Sequence, residues 1–215
     1  MNENKYGWTV LLGILVITIL FRVIGIDAVS INGDEGDLFD AVQNLGSVSP
    51  WQRWAGLLPP MSTWMAWFFT RAFGSSEMGL RMYSAFFGTL TVLVVYFLAR
   101  LHYGVRIAQL SALFMAIIPL VVLSNRDAHP DSVMVFFSIL AIYLWEYSRV
   151  RGVSFWLWAG GVVAGLAIIS KYNSAVLFSF YWLFIFCETM FVNCKSVNRV
   201  LRDAEKKVTI GTLIK

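Results

Sequence analysis

Four carboxylates crowd residues 33–40: Asp34, Glu35, Asp37 and Asp40, the first two adjacent. A well-placed carboxylate takes a proton from an attacking hydroxyl. Carboxylates are also compatible with a divalent cation, although two of them do not define a metal site, and no cofactor is assigned from them. A solvated acidic surface run is the plainer alternative. Further along, Arg126, Asp127, His129 and Asp131 fall within one short turn, and Lys171 follows later. Arginine and lysine suit a phosphate-bearing ligand, because they stabilise negative charge as it develops on a departing oxygen. The plainer reading of Arg126 with Asp131 is an ion pair at a helix boundary, and of Lys171 the outer end of an apolar helix. His102 and His129 lack metal-ligand spacing, and Cys187 and Cys194 form no Cys-x-x-Cys motif.

The elements that carry these residues must lie in lipid. The 215 residues are 58% hydrophobic and 14% charged, with a mean hydropathy of +0.68, too apolar for a soluble core with a polar skin. A net charge of +4 does not point to nucleic acid, since the basic residues sit between apolar runs. A spanning helix needs roughly 20 mostly apolar residues. Stretches 8–26, 80–99 and 107–124 meet that length, and 132–147, 155–169 and 174–192 complete a set of six, two of them short enough to be broken around a cavity. The first run exceeds a signal-peptide core and lacks a cleavage site, so it is read as a retained span. Gly161 and Gly165 form a small-xxx-small pair, which predicts close helix packing.

Lysine and arginine near span ends stay cytoplasmic. Lys5 places the N-terminus inside, and alternation then puts Arg100, Arg106, Arg149, Arg151 and a basic tail, 193–215, on the same side. The opposite, external side receives the long loop 27–79, the turn 125–131 and Lys171. Within that loop, residues 61–73 are apolar and aromatic, but about 13 residues fall short of a span. They are read as an interfacial helix, with Trp64, Trp67, Phe68 and Phe69 at the headgroup boundary and Pro59 and Pro60 at its start.

The order of these motifs resembles a known family. Gly33-Asp34-Glu35, Leu58-Pro59-Pro60-Met61, Phe73-Gly74-Ser75-Ser76-Glu77, Leu80-Arg81, the Arg126 to Asp131 turn and the stretch from Gly165-Leu166-Ala167 to Lys171-Tyr172 run collinearly over about residues 8–190. Together they resemble the protein mannosyltransferase and aminoarabinose transferase superfamily of C-type (GT-C) glycosyltransferases. The resemblance implies transfer of a sugar from a polyprenyl-phosphate donor to a lipid, glycan or protein hydroxyl, with inversion, at an external face of a bacterial or archaeal plasma membrane. It matches Asp34 to the family's catalytic carboxylate, with Glu35 beside it. Arg53, Arg126, Asp131 and Lys171 are the candidate substrate-binding residues, and Glu35 or Asp131 could orient them or hold a divalent metal. Besides donor and acceptor, membrane lipids are the expected partners.

Two departures accompany the resemblance. Relatives often carry a charged residue or histidine before Pro-Pro, where this chain has Leu57 and Leu58. They are also longer, which implies a fragment, a truncated product or a minimal scaffold. The expected architecture is all-α and polytopic: a transmembrane domain over 1–192, about six spans with an interfacial helix in the first external loop, then the tail. A catalytically inactive scaffold subunit is the alternative. A small transporter is a further one, opposed by the long external loop and the lack of an internal repeat.

Overall fold

A computed structural model of the chain describes residues 3–45 and 60–190. Every regular element among the described residues is a helix: α1 (Glu3–Val23), α2 (Gly33–Gln43), α3 (Pro60–Phe73), α4 (Glu77–Tyr103), α5 (Val105–Ile117), α6 (Pro119–Ser124), α7 (Asp131–Arg151), α8 (Ser154–Ser170) and α9 (Asn173–Met190). Three of them, α4, α7 and α9, are long and apolar enough to cross a membrane. The apolar part of α1 (Gly7–Val23), α5 and α8 are shorter apolar helices. These six correspond to the six apolar runs, and the chain is an all-α polytopic membrane protein. Met1–Ser174 forms one compact unit and Ala175–Lys215 a second. Arg53, Leu57, Leu58, Pro59, Cys194 and the basic tail 193–215 lie outside the described residues.

Lipid offers little hydrophobic drive for helix association, so helices meet closely over small side chains. Ala108, Ala112 and Ala116, each fully buried, make such a stripe along α5. Leu11 and Ile14 of α1 and Val92 and Tyr96 of α4 share its core. A second seam joins α7 to α8 over Gly160, Ala164 and Ala167. A Cβ on Gly160 would lie 2.6 Å from the Trp145 ring. The expected seam at Gly161 and Gly165 is therefore one residue out of register: both glycines are exposed and have nothing within 4 Å of a would-be Cβ.

Two further expectations change. The run 107–124 is not one helix, because Pro119 lacks an N–H and its ring pushes the preceding residue out of helical geometry. Ile118 accordingly adopts φ −58°, ψ 120°, separating α5 from α6. The acidic run is not a loop either. Asn32 and Glu35 form a reciprocal capping box that starts α2, which meets two otherwise unpaired N–H groups at once. Glu35, Leu38 and Val42 make the buried face of α2, while Asp34, Asp37 and Asp40 are exposed.

The aromatic segment does form its own helix, α3, with a sharp division of faces. Ser62, Thr63, Ala66, Phe69 and Thr70 are buried, while Trp64, Trp67 and Phe68 are exposed. Arg71 lies 5.7 Å from the Trp67 ring centroid. Ser62 Oγ donates to the Ser170 carbonyl at 3.3 Å, fastening α3 to the end of α8 immediately before Lys171.

Candidate active site

The C-terminus of α1, all of α2, the N-terminus of α4, the turn 125–131 and the Lys171 turn gather at one end of the helices. Glu35 is at the centre, with no exposed surface. Its Oε1 accepts from Arg81 Nε at 2.8 Å and from the Ala128 backbone N–H at 2.8 Å. Its Oε2 accepts from the second guanidinium nitrogen at 2.6 Å and from the Asn32 N–H at 3.2 Å. Burial alone would raise this carboxyl's pKa. The Arg81 fork and the two backbone N–H groups outweigh it and hold the carboxyl below its ordinary value, as an anion.

Arg81, 2% exposed, is equally occupied. Besides the bidentate pair with Glu35, it donates to the carbonyls of Ile26 at 2.8 Å, Val29 at 2.6 Å and Ser30 at 3.3 Å. The guanidinium therefore ties the α1–α2 connection, the start of α2 and the start of α4 into one joint. An ion pair in a low-dielectric setting holds only when its remaining donors and acceptors are also met. Sequence reasoning placed Arg81 within a motif but not among the site residues. Its signal was an arginine at the entry of an apolar run, where a charge is costly unless it is paired.

Each remaining candidate has a definite place. Asp34, the first residue after Gly33, is exposed on the outer face of α2 beside the anchored Glu35. Asp131 opens α7, and its Oδ1 accepts from Lys171 Nζ at 2.7 Å, so these two are brought together across forty residues of sequence. Both remain partly exposed, at 38% and 29% of the side chain, and so stay open to a ligand. Arg126 instead donates to the carbonyls of Phe21 and Ile24, both at 2.8 Å, and of Gly25. It closes the C-terminus of α1, whose last carbonyls have no partner within the helix. The pairing of Arg126 with Asp131 considered from sequence is replaced by these two separate contacts. Asp127 and His129 are half-buried in the same turn.

As to a metal, the two carboxylates named for that role are each paired with a cation, Glu35 with Arg81 and Asp131 with Lys171. Among the described residues no group of three or more His, Cys, Asp and Glu side chains converges as ligands. What the arrangement offers is an exposed carboxylate on a rigidly held helix start, and at the same end a half-exposed lysine held by an aspartate.

Comparison with known proteins bears on this geometry. Residues 58–197 match the family model described as dolichyl-phosphate-mannose-protein mannosyltransferase. An uncharacterized protein of Aquifex aeolicus is 32% identical over 114 residues, 53% of this chain and 23% of that protein. A Bacillus subtilis protein named "Putative mannosyltransferase YycA" is 28% identical over 119 residues, 55% of this chain and 17% of its own length. A second uncharacterized Aquifex aeolicus protein is 33% identical over 91 residues, 42% of this chain and 22% of its own. The chain thus spans less than a quarter of each of these relatives. No solved structure matches it.

Proposed function

Because the chain belongs to the dolichyl-phosphate-mannose-protein mannosyltransferase family, we propose that it moves a sugar from a polyprenyl-phosphate carrier to a hydroxyl of a lipid, glycan or protein acceptor, with inversion at the anomeric carbon. The observation that carries the chemical part is the anchoring of Glu35. With both of its oxygens engaged, Glu35 is the positioning residue, and exposed Asp34 is the base.

In the reaction, the acceptor oxygen attacks the anomeric carbon as its proton passes to the Asp34 carboxylate. The bond from that carbon to the carrier phosphate breaks, and both electrons leave with the phosphate oxygen. A base of this kind contributes roughly 10²–10⁴-fold. The leaving phosphate gains charge, which Lys171 meets on release from Asp131, with Arg126 and Arg53 as further cationic contacts. Asp131 holds the Lys171 Nζ in place until then. Lys171 lies in the turn that Ser62 of α3 fastens to the end of α8, and the exposed Trp64, Trp67 and Phe68 suit an interfacial setting for a carrier lipid entering sideways.

The orientation we propose follows from the other end of the helices, where Arg100, Arg106, Arg149 and Arg151 collect. That end is cytoplasmic by the positive-inside tendency, which leaves Asp34 and Lys171 on the external face of a bacterial or archaeal plasma membrane.

The test is transfer of radiolabelled sugar from polyprenyl-phosphate donors by the purified chain in lipid, with Asp34→Asn in parallel. Loss of at least a hundredfold in the variant, with unchanged insertion and thermal midpoint, is the expected result. Wild-type turnover by Asp34→Asn would remove the base assignment.

A further inference from the structure

Arg22 lies inside the first apolar helix and is fully buried, yet nothing in the transfer chemistry calls on it. Its contacts fall on the break in the third apolar segment. In α5 the Phe114 carbonyl is still served within the helix, by Ile118 N–H at 3.0 Å. The next carbonyl, Met115, would take its hydrogen bond from residue 119 in a continuous helix, and proline has no N–H to give. Arg22 supplies the missing donors, one nitrogen reaching Met115 O at 3.1 Å and another Ala116 O at 3.2 Å.

The rest of the guanidinium reaches the other way. Arg22 Nε donates to Asn125 Oδ1 at 3.0 Å, and Asn125 Nδ2 donates to Ser132 Oγ at 2.9 Å. Ser84 Oγ of α4 donates to the same Ser132 oxygen at 2.6 Å. All four side chains are 8% exposed or less. Gly88 of α4 makes room for this chain, since any Cβ there would overlap the Asn125 amide. Asn125 and Ser132 bracket the turn that delivers the Ala128 N–H to Glu35 and carries Asp131 to Lys171. A residue that only capped the broken helix would need the two carbonyl contacts and no more.

We infer that Arg22 is a positioning residue: it holds the third apolar segment open at Pro119 and, through Asn125, fixes the 125–131 turn on which Glu35 and Lys171 both depend. Its consequence for turnover rests on the glycosyl-transfer reading, while its consequence for the turn does not. Exchange of the Ala128 amide and its neighbours reports the turn independently of any activity.

The experiment compares wild type, Asn125→Ala, Arg22→Met and Arg22→Met with Pro119→Ala in lipid nanodiscs, by amide hydrogen exchange over 125–129 and by sugar transfer. Asn125→Ala leaves the α5 contacts of Arg22 in place. Its exchange in the turn should rise at least tenfold and kcat should fall at least tenfold, with a smaller loss of thermal midpoint than in Arg22→Met, since only one donor of the guanidinium is left unmet. In the double variant, the N–H restored at position 119 should recover the thermal midpoint lost by Arg22→Met, while exchange in the turn stays fast. Exchange in Asn125→Ala within twofold of wild type would overturn the inference, as would full recovery of slow exchange in the double variant, which would make Arg22 a cap alone. Should Arg22→Met fail to insert, the Asn125→Ala result decides. If the wild type transfers no sugar while exchange responds as stated, the transfer reading falls and the positioning role stands.

Discussion

Both ends of the helices hold charged side chains, and they hold them differently. At the Glu35 end, Arg81 and Glu35 are 2% and 0% exposed, with Glu35 meeting four N–H donors and Arg81 three backbone carbonyls besides Glu35. At the opposite end, Glu146 meets His102 Nε2 at 3.3 Å and Arg149 at 2.8 Å, with His102 and Arg149 34% and 41% exposed. Arg100 there lies against the Trp8 and Tyr96 rings, and Arg151 against Tyr147. The first end spends its charges on joining three chain segments rigidly. The second gathers partly exposed His102 and Arg149 around a Glu146 whose side chain is 12% exposed. Rigidity is useful where a base must be aimed, and the difference is itself a reason to look for chemistry at the first end.

Arg81→Met would test this contrast most severely. Removing one partner of a buried pair strands the other, so stability should fall by about 3–5 kcal/mol, read as unfolding in lipid or mild detergent. Adding Glu35→Leu should return part of that loss, because two apolar groups of similar size strand no charge. A loss below about 1 kcal/mol in the single variant, the range of an exposed pair, would make the two ends equivalent and remove the contrast. Gly88→Val comes next. Its side chain would drive into the Asn125 amide, and overpacking of this kind costs about 1–3 kcal/mol. The same substitution at exposed Gly161, where a Cβ meets nothing within 4 Å, should cost far less.

Much of this architecture is legible in the sequence, for reasons that differ from element to element. Six apolar runs and the short aromatic helix follow from length and composition, which lipid reads directly. Asp131 and Lys171 stand out as charges at the ends of apolar runs, and they meet. The helical start of α2 was written in Asn32 and Glu35, three residues apart in front of Leu38 and Val42, but the density of carboxylates suggests a loop more loudly than a capping box suggests a helix. Pro119 inside an apolar run likewise marks a break. What a single sequence lacks is the neighbour. Whether Gly160 or Gly161 faces Trp145 depends on the rotation of α8 against α7. Arg22 and Arg81 read as ends of spans until the carbonyls that receive them are in view. The structural division between adjacent Asp34 and Glu35 is of the same kind: one carboxylate turns inward and is consumed by structure, the other is exposed, and nothing in the pair of letters says which.

Acid should separate the ends further. Because the folded-state pKa of Glu35 is depressed below its ordinary 4.5, the anion's contribution is fully present above that value and is lost as pH falls through the lower, folded one. Unfolding temperature followed downward from pH 6 should therefore drop below about pH 4.5 in the wild type. Glu35→Gln should begin lower and show less of that acid-dependent drop. A wild-type profile parallel to that of Glu35→Gln would mean that Glu35 gains nothing from its four donors.

Arg149→Ala should have the smallest effect, about 0–1 kcal/mol, since Arg149 is 41% exposed and three residues from its partner on the same helix. Water replaces the lost guanidinium on the side that faces solvent, and His102 Nε2 stays beside the carboxylate. Salt sharpens the point. Raising ionic strength to about 1 M shortens the screening length to about 3 Å, so the difference between Arg149→Ala and wild type should shrink further. The difference between Arg81→Met and wild type should persist, because ions do not reach a pair that water does not reach. A salt-insensitive cost of several kcal/mol at Arg149 would show that Glu146 is as deeply committed as Glu35, and that rigid charge anchoring belongs to both ends of the molecule and is no mark of its site.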